Sequence, residues 1–341
     1  MDLKAFGFNQ YGNSNVMEEL ELPVPKLRPN EVLVKTSAFA INAFDIAVRN
    51  GTFRNSVTIL FPTILGTDAV GRIVKLGTNV HDYDLGDDVL ARPGIGTYAE
   101  YFKVSTDHLG LRPKKYNPYE AAGLPLSGIT SYNTLVHIAH VKQGQTIVIL
   151  GSSGGVGSML VQMAKALGLY VIGTDTESSR ETVLGLGASE FGAYDTERVS
   201  AKFADMADIL IDATNSGAAT AGLSIVKPHG TYVSLTTLPQ DRQAKPDVAY
   251  KQVIPRREYR DSDAFAAIAL MIQNDQLHVS IDRLESFTLD GIRKGQDLVE
   301  GGNPDGKVIV TLWLHPAPLS VKIISGNNGI KNNHSIIIMN W

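Results

Sequence analysis

The chain has no cysteine. That excludes disulfides, a thiolate nucleophile and any zinc centre built on cysteine ligands. Long hydrophobic runs are missing too. No stretch approaches the roughly 20 apolar residues of a membrane-spanning helix, and the opening segment Met1–Phe6 has no apolar signal core. Charge of neither sign dominates: the formal net charge is −4 over 341 residues, and no basic stripe argues for a nucleic-acid partner. There are eight histidines, but their spacing forms no metal cluster. His137 and His140, three apart on an expected helix, have no carboxylate nearby to complete a site. Together these absences predict a soluble, cytoplasmic protein that needs no metal and binds neither nucleic acid nor membrane. The length suggests two domains with room for a large core.

The most informative feature present is Gly151-Ser152-Ser153-Gly154-Gly155-Val156-Gly157. It follows the apolar run Thr146–Leu150 and precedes a helix-like stretch over 158–167. A glycine turn between a strand and a helix is the context in which a GxGxxG-like motif means a dinucleotide site. The glycines let the backbone approach a pyrophosphate, and the helix start offers it free N–H groups. Ser152 occupies the place of the first glycine. A second apolar run, 170–174, ends at Asp175, about 20 residues on, where an acid that binds a ribose 2′-hydroxyl is expected. Placing a carboxylate at Gly155 or Gly157 is therefore predicted to abolish cofactor binding without unfolding the chain.

Residues 1–121 carry short β signals, at 32–36, 69–74 and 88–91, separated by glycine, aspartate and proline turns. From 122 strand and helix signals alternate through 146–150, 170–174, 209–213 and 230–235, which predicts an α/β fold with a doubly wound parallel sheet. A helix follows at 263–272 and a closing strand at 307–312. The segment 314–341 is Asn-rich and reads as an appended, weakly ordered tail, with an extra edge strand as the alternative.

The ordered motifs resemble the medium-chain dehydrogenase/reductase superfamily, in its zinc-independent, quinone-oxidoreductase-like branch, over residues 1 to 313. They are Asn42-Ala43-Phe44-Asp45 with Arg49 and Gly51, Gly66-Thr67-Asp68, Gly86-Asp87-Asp88-Val89, Gly96-Thr97-Tyr98-Ala99-Glu100-Tyr101, the glycine turn and Asp305-Gly306-Lys307-Val308. The resemblance implies a β-rich GroES-like catalytic domain (1–121, rejoined by 259–313) and a Rossmann domain (122–258). Asn42 stands where the zinc alcohol dehydrogenases carry their first cysteine ligand, and Thr67 stands in place of a histidine ligand. The four-cysteine lobe is missing.

Without a Lewis acid, quinones and conjugated carbonyls are the acceptors that need least polarisation. The resemblance thus implies a zinc-independent, NAD(P)H-dependent reductase of such substrates. The alternatives are an enoyl or 2-alkenal reductase, or a non-catalytic, crystallin-like nucleotide-binding protein. Asn42, Asp45, Arg49 and Thr67 would line the cleft between domains, although Asp45 and Arg49 also have the spacing of a surface ion pair. Tyr98 would be a donor to substrate or a packing residue. Cofactor contacts would come from Ser152, Ser153, Gly154, Gly155, Val156, Gly157, Asp175, Ser179, Arg180 and Lys307. Thr130, Thr214 and Leu235 would lie on the nicotinamide side. Asp175 favours NADH or dual use, whereas Arg180 and Ser179 suit a 2′-phosphate. A homodimer joined through residues 230–235 and neighbouring edge strands completes the expectation.

Overall fold

A computed structural model describes residues 2–55, 58–214, 222–254, 256, 258–302 and 304–312. The tail at 314–341 and much of the helix expected between 213 and 230 lie outside the described residues. Among the described residues the strands form three sheets. β1 (Asp2–Phe8) pairs with β2 (Met17–Pro23) and β4 (Thr63–Ile64) in the smallest.

The largest sheet is organised around β3 (Glu31–Ile41), which is buried over most of its length and sends Val32, Val34, Phe39 and Ile41 into one core and Ala38 and Ala40 into another. On one side β3 pairs antiparallel with β5 (Ala69–Leu76), which leads to β6 (Asp88–Ala91) and β8 (Leu109–Leu111). β7 (Tyr101–Ser105) also pairs with β3. On the other side β3 takes β16 (Lys307–Thr311), in register Val308 to Ile41, and then β15 (Ile281–Ser286). β16, the last strand among the described residues, therefore joins the sheet begun by the N-terminal third. Phe6, Phe8, Phe39, Tyr98 and Phe102 fill its core.

The middle of the chain builds a six-stranded parallel sheet. Its strands are β9 (Thr146–Leu150), β10 (Tyr170–Asp175), β11 (Glu190–Ala193), β12 (Ala207–Asp212), β13 (Val226–Ser234) and β14 (Ala249–Gln252). Their order is β11-β10-β9-β12-β13-β14, the doubly wound dinucleotide-binding arrangement. The central strand β9 is almost wholly apolar and buried, as expected of a parallel strand covered on both faces. β13 is paired on both sides, so the free edge expected at 230–235 belongs to β14 instead. The chain runs from β9 outward to β11, then from β12 outward to β14. This makes the carboxyl ends of β9 and β12 the switch point where a ligand binds.

Candidate active site

Four strand ends meet at that switch point. Gly151 follows β9, Asp175 ends β10, Thr214 follows β12 and Leu235 follows β13. The glycine turn then opens α4 (Gly157–Ala166). Gly151 has φ +75°, and the Ser152 hydroxyl and amide both donate to Thr174 O, at 3.1 Å each. A Cβ on Gly157 would lie 2.0 Å from Gly151 O, so this glycine lets the turn fold on itself. Any side chain at Gly157 breaks the turn, so a carboxylate there perturbs folding as well as binding. That corrects the sequence expectation. Gly155 is different: its Cβ would meet only Ser127 Oγ at 3.5 Å and the Lys307 side chain at 3.7 Å. Its open side faces the neighbouring domain and leaves the backbone approachable, so the turn fits a pyrophosphate.

Ser153 donates through its amide (2.9 Å) and hydroxyl (2.8 Å) to Asp175 Oδ2, while Thr176 N donates to Oδ1 at 2.9 Å. The turn and the acid at the second strand end are thus one bonded unit. Arg180, at the start of α5 (Arg180–Gly185), is held at 2.7 Å by both oxygens of Glu177 and at 2.9 Å by Glu197, above the Phe191 ring. The Ser179 hydroxyl contacts Thr176. Thr214 donates to Asp212, Leu235 N donates to Asp212 O, and Thr130 O accepts from Thr134.

A second cluster faces this turn from the other domain. Asn42 caps α1 (Ala43–Arg49), and its backbone N–H donates to Asp45 Oδ2 at 2.9 Å. Its side chain is turned elsewhere. Asn42 Nδ2 donates to Asp68 Oδ1 at 3.0 Å, and Asn42 Oδ1 accepts from Lys307 Nζ at 2.6 Å. Lys307 also donates to Ser127 Oγ at 3.2 Å, and Leu126 N donates to Asp68 Oδ2 at 3.0 Å. Leu126 and Ser127 sit in α3 (Pro125–Tyr132), which leads into the nucleotide domain. The cluster therefore bonds the two domains together across their seam. A narrow cavity lined by Gly155, Ser158, Thr182, Ser280, Gly306 and Lys307 lies beside it.

Asp45 accepts from three donors: Asn42 N, Tyr98 OH at 3.0 Å and the Thr67 hydroxyl. It has no exposure, and burial, with Asp68 as a second cause, pushes its carboxyl up to about 7. Burial also raises Asp68 above the usual carboxylate range, against the opposing pull of Lys307. Burial lowers the Lys307 ammonium, and the two carboxylates resist that shift. The Tyr98 ring stacks on Phe39 at 4.3 Å, and burial beside Asp45 holds its hydroxyl protonated. Gly66, at φ +101°, permits this approach, because a Cβ there would lie 2.2 Å from the Tyr98 ring.

The structure brings Asn42, Asp45, Thr67 and Lys307 together, but not Arg49. The Arg49 guanidinium is fully buried and donates to Gly12 O (3.1 Å), Gln296 Oε1 (2.7 Å) and Glu300 Oε2 (2.6 Å). It anchors α1 to α8 (Leu289–Glu300). It neither lines the seam nor pairs with Asp45; its guanidinium turns instead to Gly12 and to the helix that carries Gln296 and Glu300. Sequence reasoning had Asp68 in a motif but gave it no chemistry, and it missed Ser127, which nothing local marked.

A parallel-sheet dinucleotide fold coupled to a β-rich domain with a polar cluster at the seam defines a class of two-domain oxidoreductases. Comparison with known families gives the same result. Residues 28–114 match the family described as Alcohol dehydrogenase GroES-like domain, and residues 155–259 match Zinc-binding dehydrogenase. The chain is 29% identical over 321 residues, 91% of its length and 79% of the relative's, to an NADPH-dependent alkenal/one oxidoreductase, chloroplastic, of Arabidopsis thaliana. It is 27% identical to a quinone-oxidoreductase homolog, chloroplastic, of Spinacia oleracea, over 90% of this chain and 98% of that one. Among solved structures, the quinone oxidoreductase from Coxiella burnetii superposes with a TM-score of 0.82 at 26% identity, covering 92% of this chain and 100% of that one. The chain belongs to the medium-chain dehydrogenase/reductase superfamily, in its quinone-oxidoreductase-like branch.

Proposed function

We propose that this chain is a zinc-independent, NAD(P)H-dependent reductase of quinones or other conjugated carbonyls. The observation that carries the reading is the buried Asn42–Lys307–Asp68 cluster set against the glycine turn. Buried hydrogen-bonding groups beside the glycine turn support a role for the cluster in polarising a substrate carbonyl next to a bound nicotinamide. When bound, the cofactor supplies the hydride. The amides of residues 155–157 at the start of α4 would hold its pyrophosphate, and Asp175 its ribose. Thr130, Thr214 and Leu235 border the nicotinamide, and Lys307 adds positive charge at the seam.

Zinc independence is supported by the missing cysteines and by a donor set of one amide, two aliphatic hydroxyls, a phenol, two carboxylates and an ammonium. An ammonium bonded into the cluster disfavours a dication there. NADH or dual use is supported by Asp175 and by the two carboxylates that already occupy Arg180. The Arabidopsis relative, described as NADPH-dependent and acting on alkenals, favours NADPH and, as a second reading, a 2-alkenal substrate. A turnover screen of quinones and enones, run with NADH and NADPH side by side, separates these. Cofactor binding without turnover on any acceptor supports the non-catalytic alternative. Stoichiometric zinc, with activity lost to a chelator and restored by the metal, overturns zinc independence.

A homodimer joined through the β14 edge belongs to the same proposal, and light scattering at micromolar concentration tests it. A cytoplasmic location is tested by imaging a fluorescent fusion.

A further inference from the structure

Reduction of a conjugated carbonyl needs a proton as well as a hydride. The cluster holds several protonated groups, but most are committed. Lys307 is bonded to Asn42 and Ser127. Both oxygens of Asp68 accept, from Asn42 Nδ2 and Leu126 N. The Tyr98 hydroxyl donates to Asp45, and its ring is fixed on Phe39. Thr67 donates to the same carboxylate, at Oδ1, but no ring stacking fixes its short side chain, and a hydroxyl–carboxyl pair can carry its proton in either direction.

We infer that Thr67 and Asp45 form the proton relay of this enzyme, Thr67 donating to the substrate oxygen and Asp45 resupplying Thr67. The inference rests on the reductase reading above. When Asp45 is ionised, the Thr67 O–H is drawn inward to the carboxylate and is unavailable. When Asp45 is protonated, Asp45 donates to Thr67 Oγ, and the Thr67 proton is free to turn outward. Thr67 is placed for this by its neighbour Asp68, which is tied to Leu126 and to Asn42 at the seam.

The step balances. Hydride transfer forms a C–H bond and moves an electron pair onto the carbonyl oxygen, while the nicotinamide is oxidised. The Thr67 O–H breaks as the substrate O–H forms. The Asp45 O–H breaks as that of Thr67 re-forms. Asp45 is left as a carboxylate and, once product leaves and water reaches the Thr67 hydroxyl, regains its proton back through Thr67.

The groups facing Asp45 set its proton affinity. Burial and the neighbouring Asp68 raise it, while Asn42 N, Thr67 and Tyr98 oppose the rise by bonding to the charged form. Lys307 is the nearby positive charge, and Arg49, one turn on, is engaged with Gln296 and Glu300. A carboxyl poised at about 7 is suited to donate near neutral pH.

The test uses the full chain with saturating cofactor. Thr67→Val keeps the shape and removes the hydroxyl, and Thr67→Ser restores it. The relay requires Thr67→Val to lose about a hundredfold in kcat, with cofactor Kd by fluorescence titration within about twofold and Thr67→Ser recovering most of the rate. In the wild type, kcat should fall as pH rises through about 7, with a solvent isotope effect, and this limb should vanish in Thr67→Val. An active wild type without the alkaline limb overturns the relay alone, as does a Thr67→Val enzyme that keeps the rate and the limb. The wild-type profile decides the matter even where the variant misfolds. A wild type that binds cofactor but reduces no quinone or enone overturns both the relay and the reductase reading.

Discussion

The glycine turn and the seam cluster are built on opposite principles. The turn is a backbone device. Its constraints are one positive φ at Gly151, one close approach at Gly157 and bonds to residues 22 positions away. The seam cluster is a side-chain device. It joins Asn42 to Asp68, Tyr98 to Asp45 and Lys307 to Asn42 across separations of 26, 53 and 265 residues, nearly all of it buried. A backbone device tolerates change until a Cβ collides. A buried charge cluster responds to the loss of any one member, because the partner is left uncompensated in a medium of low dielectric constant.

The largest effect expected from that difference is at Lys307. Lys307→Met should destabilise the fold by about 3–5 kcal/mol, as for loss of one charge from a buried pair, because it removes the cation that offsets Asp68 and leaves Asn42 Oδ1 without its donor. Adding Asp68→Asn should recover part of the loss. Urea unfolding of both single variants and the double variant measures this, and strictly additive losses would show that the two charges do not sense each other.

Gly157→Ala comes next. Its Cβ would lie 2.0 Å from Gly151 O, so a loss of at least about 2 kcal/mol is expected. Gly155→Ala, whose nearest new contact is 3.5 Å away, should leave the melting temperature nearly unchanged. Equal melting temperatures for the two variants would refute the asymmetry of the turn.

Asp175→Ser tests the outer end of the turn. It removes both an acceptor for the ribose hydroxyl and a repulsion of a 2′-phosphate, so the ratio of NADH to NADPH dissociation constants should move about tenfold toward NADPH. An unchanged ratio would mean that the carboxylate serves only Ser153 and Thr176.

The last test reads a slope. The folded-state affinity of Asp45 for its proton is raised, from 3.8 to about 7. Its stabilising contribution is therefore fully present below about pH 4 and is lost as pH rises through 7. The stability of Asp45→Asn relative to wild type should accordingly be greater at pH 8 than at pH 5. A difference between the two melting temperatures that does not vary with pH would contradict the raised affinity.

Sequence reading reached the turn and the seam cluster unequally. Strand, glycines, helix and Asp175 are adjacent in the chain, so their periodicity and turn chemistry could be read directly. Arg49 shows where that reading failed. Its spacing from Asp45 suggested a shared face, yet Gln296 and Glu300, more than 240 residues away, claim its guanidinium. The 230–235 segment looked like an edge, but β14 covers it.

By itself the sequence determined the nucleotide fold, the position of its glycine turn and the absence of any cysteine chemistry, because these depend on local backbone freedom and on composition. Only the tertiary structure decided that Asn42, Asp45, Thr67, Asp68, Ser127 and Lys307 form one buried cluster. Their proton affinities and partners come from desolvation and from contacts that exist only once β16 has closed the sheet against β3.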